Sequence, residues 1–164
     1  MSGAGRDENK RAPMLWSKED VPGMCKGPAA MEKFDMKYDS YENQTGQPYS
    51  ILSFYRDAIL LRNQNPEIAR GISVNLEEYG SKEVCCIQKK WNGKEVLLLI
   101  NVSDQAQTID LAGLMLNSKE IGNAVVRGWL FAGGDGLSQA DSYRNGSFAK
   151  SVAQMPPFSV LVLQ

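Results

Sequence analysis

The stretch Val96-Leu97-Leu98-Leu99-Ile100, in the second half of the chain, is apolar at every position. A strand with one wet face alternates apolar and polar residues, whereas a strand covered on both faces does not. Val84 to Trp91 precedes it, and the intervening Asn92-Gly93 is a dipeptide preferred in tight β-hairpins. The pattern therefore predicts an antiparallel pair whose second strand lies at the centre of a sheet buried on both sides.

Short segments on either side of this pair continue the strand pattern. Most of them alternate apolar and polar residues, and turn residues separate them. The further predicted strands are Ile72 to Leu76, Thr108 to Leu111, Ala124 to Leu130, Ser147 to Ala153 and Phe158 to Leu163, with a second hairpin candidate at Asn145-Gly146. About seven or eight such strands are typical of a mainly β fold. We expect an antiparallel Greek-key β-sandwich over residues 71–164.

The segment from Ser50 to about residue 63 has the periodicity of a helix. Ser50 is a favourable N-cap, and Asn65-Pro66 ends the helical pattern before a turn through Glu67 to Ala69. The apolar side chains form a stripe wide enough for two neighbouring surfaces: Ile51, Phe54, Tyr55, Ala58 and Ile59, widened by Leu52, Leu60 and Leu61. Residues 1–49 are polar and irregular, which is unusual for a self-contained domain. This indicates that they belong to something larger.

Composition and charge exclude several classes of function. The 18 basic and 19 acidic residues give a net charge of −1, which provides no electrostatic footprint for nucleic acid or an anionic membrane surface. The chain has no histidine, so Ser–His–Asp and Cys–His catalytic arrangements cannot be built. Without histidine or a C-x-x-C pair, we predict neither a metal site nor a cofactor.

The three cysteines have a simple interpretation. We expect Cys25, Cys85 and Cys86 to be buried, reduced thiols that pack as small hydrophobic side chains. Because neighbouring residues on a strand point to opposite faces, Cys85 and Cys86 are not expected to form a disulfide with each other.

Four segments together resemble family 13 glycoside hydrolases, in the branch of the α-amylases and oligo-1,6-glucosidases. In that family, a run like the first of them follows the eighth barrel strand, and the second resembles the last barrel helix. The third and fourth are similar to the central and closing strands of the family's C-terminal β-domain. The segments are Gly5-Arg6-Asp7-Glu8-Asn9-Lys10-Arg11-Ala12-Pro13-Met14-Leu15-Trp16-Ser17, Ser50 to Asp57 with Leu61-Arg62 and Asn65-Pro66, Val96 to Ser103, and Met155-Pro156-Pro157-Phe158-Ser159-Val160.

The resemblance implies a C-terminal fragment of such an enzyme. Residues 1–70 would be the end of the catalytic (β/α)8 barrel, with the loop after strand 8 and the last helix, and residues 71–164 the C-terminal β-sandwich. Family members cleave α-glucosidic links with retention, which requires two carboxyl groups roughly 5 Å apart. Their catalytic carboxylates lie upstream of the Arg6-Asp7 run, so no catalytic residue is carried over to this chain. The fragment would be structural and inactive alone, while its parent would act on starch, malto- or isomaltooligosaccharides.

The same resemblance identifies three candidate substrate contacts in the intact parent: Arg6, Asp7 and Trp16. Arg6 and Asp7 would lie on the barrel face that carries active sites, and Trp16 would offer a flat apolar surface to a sugar ring. Alternatively, Arg6 pairs with Asp7 or Glu8 to hold the loop, and Trp16 anchors it by packing. For the other tryptophans, we expect Trp129 in the core and Trp91 exposed at a strand end, where a secondary glucan-binding patch is the minor alternative.

The expected partners follow from this interpretation. They are the rest of the parent barrel, with α-glucan reached only through the parent, and neither nucleic acid nor membrane. The apolar helix at 50–63 is a candidate surface for self-association. Two other classes of function stay open: a stand-alone carbohydrate-binding module and a self-associating β-sandwich module. The sequence also leaves open whether the parent is a cytoplasmic or a secreted bacterial protein.

Overall fold

The computed structural model describes residues 7–19, 25–31, 38–48, 50–131 and 148–164. The chain divides into two compact units, Met1–Ser53 and Phe54–Gln164. Within the described ranges, every helix is too short or too polar to cross a membrane. The proposed division between barrel and sandwich at residue 70 stays a prediction.

Short helices organise the first unit. A 3-10 turn spans Asp7–Arg11, and helix α1 spans Tyr41–Thr45. The buried Ser40 caps α1, since its hydroxyl accepts a hydrogen bond from the N–H of Asn43 at 3.4 Å. The side-chain oxygen of Gln44 in α1 accepts a hydrogen bond from the N–H of Leu52 at 3.0 Å, near the start of the next helix. Side-chain hydrogen bonds thus satisfy backbone donors that a helix start leaves free.

Helix α2 spans Ile51–Gln64 and confirms the helix predicted from residue 50. The hydroxyl of Ser50 accepts the N–H of Ser53 at 3.1 Å, which is the geometry of an N-cap. The predicted turn at 67–69 was wrong: helix α3 spans Pro66–Arg70 there. Proline at the first helical position lacks only an N–H that would be unpaired anyway, so Pro66 ends α2 and starts α3.

The described part of the second unit contains two antiparallel sheets and a small hairpin. The larger sheet has the strand order β1-β2-β3-β10-β7, and the smaller has β4-β9-β8. Strands β5 and β6 pair with each other. The bounds are β1 Ile72–Asn75, β2 Val84–Trp91, β3 Lys94–Asn101, β4 Gln107–Asp110, β5 Met115–Leu116, β6 Lys119–Glu120, β7 Val126–Phe131, β8 Phe148–Ala149, β9 Val152–Met155 and β10 Ser159–Leu163.

Strand β3 lies at the centre of the larger sheet, as predicted, and its two faces contact different layers. Leu97 and Leu99 are fully buried in the core shared with the smaller sheet, which includes Ile109 and Met155. Val96, on the opposite face, is fully buried in a second cluster with Val162 of β10 and Leu61 of α2. The continuous apolar run therefore reflects sandwich packing on one face and helix packing on the other.

Two parts of the strand prediction were wrong in detail. The single strand expected over 147–153 is a hairpin of β8 and β9, turned at Lys150 and Ser151 with φ of 50° and 71°. The β5–β6 hairpin was not predicted, and its turn residues Asn117 and Ser118 also have positive φ. The hairpin candidate at Asn145-Gly146 lies outside the described residues.

Candidate functional site

Asp7, one of the three predicted substrate contacts, begins the 3-10 turn at Asp7–Arg11. Its carboxylate pairs with the guanidinium of Arg11, one turn later, and both side chains are largely exposed. An exposed ion pair of this kind contributes little stability, so the carboxylate remains accessible to a ligand. Arg6 lies outside the described residues, and its proposed contact stays a prediction.

Trp16 lies against the start of helix α1. Its ring contacts Tyr41 edge-on, with centroids 5.4 Å apart, and 48% of the residue is exposed. Two backbone hydrogen bonds join this segment to α1: Tyr41 donates to the carbonyl of Leu15 at 2.8 Å and Glu42 to that of Trp16 at 3.0 Å. Trp16 is therefore packed against Tyr41 and about half exposed. Among the described residues, no hydrogen bond or ring contact joins it to Asp7.

Glu95 is the most heavily hydrogen-bonded carboxylate in the described part of the chain. It accepts from the backbone N–H of Asn117 at 2.8 Å, from Gln88 at 3.0 Å and from the Lys90 ammonium at 3.0 Å. Burial alone would raise the pKa of the Glu95 carboxyl, but these donors together hold it below its ordinary value. The general acid of a glycosidase requires a raised pKa, which is the opposite shift. The role of Glu95 is structural, because its hydrogen bond with Asn117 joins β3 to the β5–β6 hairpin.

The cysteines differ from one another. Cys86 is buried in the sandwich core, as expected, but Cys25 and Cys85 are exposed, so the prediction of three buried thiols was wrong. Alternation along β2 is the reason for Cys85, whose neighbour takes the inward position. Burial raises the pKa of Cys86 to about 12, with smaller contributions from Glu78 and Cys85. Among the described residues, no group of three His, Cys, Asp or Glu side chains could hold a metal ion.

Trp129 packs against the sandwich core, as predicted, and its indole nitrogen is buried without a hydrogen-bond partner among the described residues. Trp91 is half-buried rather than exposed. The guanidinium of Arg70, from α3, lies 5.4 Å from the centroid of the Trp91 ring. This cation–π contact joins α3 to the end of β2.

A cavity of about 160 Å³ lies beside Trp91. Its wall includes Glu67 of α3, the hairpin residues Asn92 and Lys94, and Arg127 of β7. Only 5% of Glu67 is exposed. Sequence reasoning singled out Trp91 but missed Glu67 and Arg127, because α3 was read as a turn and because the strand register at Arg127 is irregular.

Comparison with known proteins supports the resemblance found in the sequence. No family model matches the chain. Eubacterium rectale Amy13B has 30% identity and a TM-score of 0.81 over 97% of this chain and 28% of its own. Trehalose synthase from Thermus thermophilus is 28% identical over 109 residues, which are 62% of this chain and 11% of that enzyme.

This chain is a relative of the α-amylase-family glycoside hydrolases. Other α-amylase-family relatives include an oligo-1,6-glucosidase of Saccharomyces cerevisiae, 24% identical over 60% of this chain and 18% of that enzyme. The α-amylase from H. orenii shares the fold, with a TM-score of 0.65 and 17% identity over 92% of this chain and 27% of its own. The chain thus spans between 11% and 28% of the length of these proteins.

Proposed function

We propose that this chain is the C-terminal region of an enzyme that acts on α-glucosidic links in starch, malto- or isomaltooligosaccharides. In this proposal the region is structural, and the catalytic carboxylates belong to a preceding barrel. The observation that carries it is the match to Amy13B, which includes 97% of this chain but only 28% of the other. The order of the family-like segments, from Arg6-Asp7 to Met155–Val160, supports the same assignment.

The hydrogen bonding of Glu95 supports the inactive part of the proposal. A retaining glycosidase requires one carboxyl group as nucleophile and a second, with a raised pKa, as acid. Asp7 is paired with Arg11 in solvent, and Glu95 is held ionised by three donors. Glu95 therefore does not provide a protonated acid near neutral pH.

The proposed partner is the rest of the barrel. Helix α2 packs on the larger sheet through Leu61 near its C-terminal end, while Tyr55, Ile59 and Leu60 are each more than half exposed. An exposed apolar face of this size is typical of an interaction surface. In the proposal, barrel residues of the parent cover this face, and Arg6, Asp7 and Trp16 contribute to the substrate side of the barrel.

Two measurements test the proposal. The purified 164-residue chain, incubated with maltoheptaose and isomaltose, is expected to release no glucose above a mock preparation from the same host. A hybrid in which the chain replaces the matching segment of Amy13B is expected to regain activity that Amy13B lacking that segment loses, with intact Amy13B as the reference.

Turnover by the chain alone would contradict the structural role. A folded hybrid no more active than the truncated Amy13B would contradict the assignment to the parent. A thermal melt of the hybrid establishes whether it folds, and the assay of the chain alone remains decisive if it does not.

A further inference from the structure

We propose that the cavity beside Trp91 is a saccharide-binding site that holds the end of an oligosaccharide. Its residues are Glu67, Trp91, Lys94, Arg127 and Gln164. All of them lie in the unit Phe54–Gln164, on the side of the larger sheet where α3 packs. Asp7 and Trp16 belong to the other unit.

Glu67 provides the acidic group of the site. Only 5% of Glu67 is exposed, its backbone carbonyl accepts the N–H of Gly71 at 2.8 Å, and the residue lines the cavity. Within the described ranges, its carboxylate has neither a hydrogen-bond nor an ion-pair partner. Although little of the residue is exposed, its carboxylate oxygens are not among the fully buried atoms that lack a partner, so they are accessible from the cavity, where hydroxyl donors of a bound molecule could reach them.

Trp91 provides the apolar part of the site. Arg70 lies over its ring at 5.4 Å from the centroid, and Trp91 is one of the residues that line the cavity. A rigid aromatic surface beside a few polar groups is typical of a small-molecule site, and a pyranose ring presents C–H groups that suit such a surface.

The charges of the wall favour a neutral ligand with many hydroxyl groups. Lys94 and Arg127 oppose a metal cation, and Glu67 reduces the net positive charge that an anion such as phosphate would meet. The amides of Asn92 and Gln164 donate and accept, as sugar hydroxyl groups do. A saccharide satisfies the acceptor at Glu67 and the donors at Lys94 and Arg127 together.

The site extends beyond one sugar ring. A second cavity of about 360 Å³ shares Arg127 and Gln164 with the first and continues along Asn117, Lys119 and Asn123. The register between β7 and β10 shifts at this point, since Gly128 pairs with Val162 but Val126 pairs with Leu163. Arg127 is thereby left without a partner position, as in a β-bulge, between the two cavities.

The choice of an α-linked glucan among oligosaccharides rests on the proposed function. Isothermal titration of the full chain with maltoheptaose is expected to give saturable binding, absent with inorganic phosphate and weaker with cellotriose. Trp91→Ala should lower the affinity roughly tenfold or more, which corresponds to one well-packed aromatic contact. Glu67→Gln should weaken binding about threefold while leaving the melting temperature equal or higher. Replacing a glutamate that only stabilises the fold would instead lower the melting temperature.

Phe158→Ala, at an exposed aromatic residue that lines neither cavity, is the matched control and should bind as the wild type does. Absence of maltoheptaose binding up to millimolar concentration, equal affinity in Trp91→Ala, or binding of phosphate in place of sugar would each overturn the site. Preference for cellotriose would retain the saccharide site and reject only its α-glucan assignment. If Trp91→Ala does not fold, Glu67→Gln and Arg127→Ala decide by the same titration. The hybrid assay is independent of these variants, so the two proposals fail separately.

Discussion

The adjacent thiols of Cys85 and Cys86 differ in reactivity because one face of strand β2 is buried in the core and the other is exposed to solvent. Cys85 is exposed, whereas Cys86 is buried with its pKa raised to about 12. Since only a thiolate attacks a disulfide reagent, Ellman's reagent at pH 8 is expected to titrate Cys25 and Cys85 rapidly and Cys86 only after unfolding in urea. Cys85→Ser should remove one rapid thiol, and Cys86→Ser should leave the rapid count unchanged. The reverse result would contradict the assigned faces of β2.

Glu95 gives the fold a dependence on pH. Its pKa is lower in the folded chain than the ordinary value of 4.5, so it stabilises the folded state fully above that value. This contribution is lost as pH falls through the folded pKa. We expect Glu95→Gln to lower the free energy of unfolding at pH 7 by about 1–2 kcal/mol, from hydrogen bonds to a charged group, with a smaller difference near pH 3.

Urea denaturation at several pH values measures this effect of Glu95. Glu19→Gln, at an exposed position, is the control and should follow the wild type throughout. A difference between Glu95→Gln and wild type that grows toward low pH would contradict the direction assigned to the pKa.

At the scale of elements, the contact between helix α2 and strand β7 depends on a glycine. A Cβ built on Gly128 would overlap the Cδ1 atom of Leu61, which is 8% exposed. Gly128→Ala is therefore expected to destabilise the fold by about 1–3 kcal/mol through overpacking. Leu61→Ala should cost about 2–5 kcal/mol through the cavity it leaves, while Leu60→Ala, at a site 54% exposed, should stay within about 0.5 kcal/mol.

The double variant of Gly128 and Leu61 tests whether the overlap is the cause. Once Leu61 is truncated, the added methyl group at Gly128 has room, so Gly128→Ala should cost less in the Leu61→Ala background. Simple additivity in urea denaturation would show that the glycine is required for another reason.

The elements that the sequence predicted well are those with a local signal. Asn92-Gly93 marks its hairpin because both residues adopt positive φ readily, and β2 and β3 follow at the expected places. The turns at Asn117-Ser118 and Lys150-Ser151 also have positive φ, but three of these four residues seldom adopt it. Tertiary packing of the surrounding strands imposes those conformations, so no local sequence pattern predicts them.

The candidate saccharide site was only partly predictable for a similar reason. Trp91 stands out because an aromatic residue beside a hairpin turn is conspicuous in the sequence. Glu67 is an ordinary helical glutamate by sequence, and its burial follows from the packing of α3 on strands β2 and β3. Arg127 reaches the cavity wall at an irregularity between β7 and β10, which depends on the pairing of distant segments.

At the scale of the whole molecule, helix α2 sets how the chain behaves in solution. Ile51, Tyr55, Ile59 and Leu60 are all more than half exposed on this helix. The net charge of −1 provides almost no repulsion between copies. We therefore expect the isolated chain to associate reversibly with a second copy through α2 as its concentration rises.

Sedimentation velocity over a range of concentrations tests this association. The wild type is expected to shift toward a dimer, and a Tyr55→Lys/Ile59→Lys variant to remain monomeric, because facing lysines would bring like charges together on a surface that must lose water. Thr108→Lys, at an exposed position on β4, adds a charge away from α2 and should leave association unchanged. A wild-type chain that stays monomeric at high concentration would contradict self-association.

If α2 faces a barrel in the parent, the hybrid with Amy13B should be monomeric with Tyr55 and Ile59 intact, since the apolar face is then already covered.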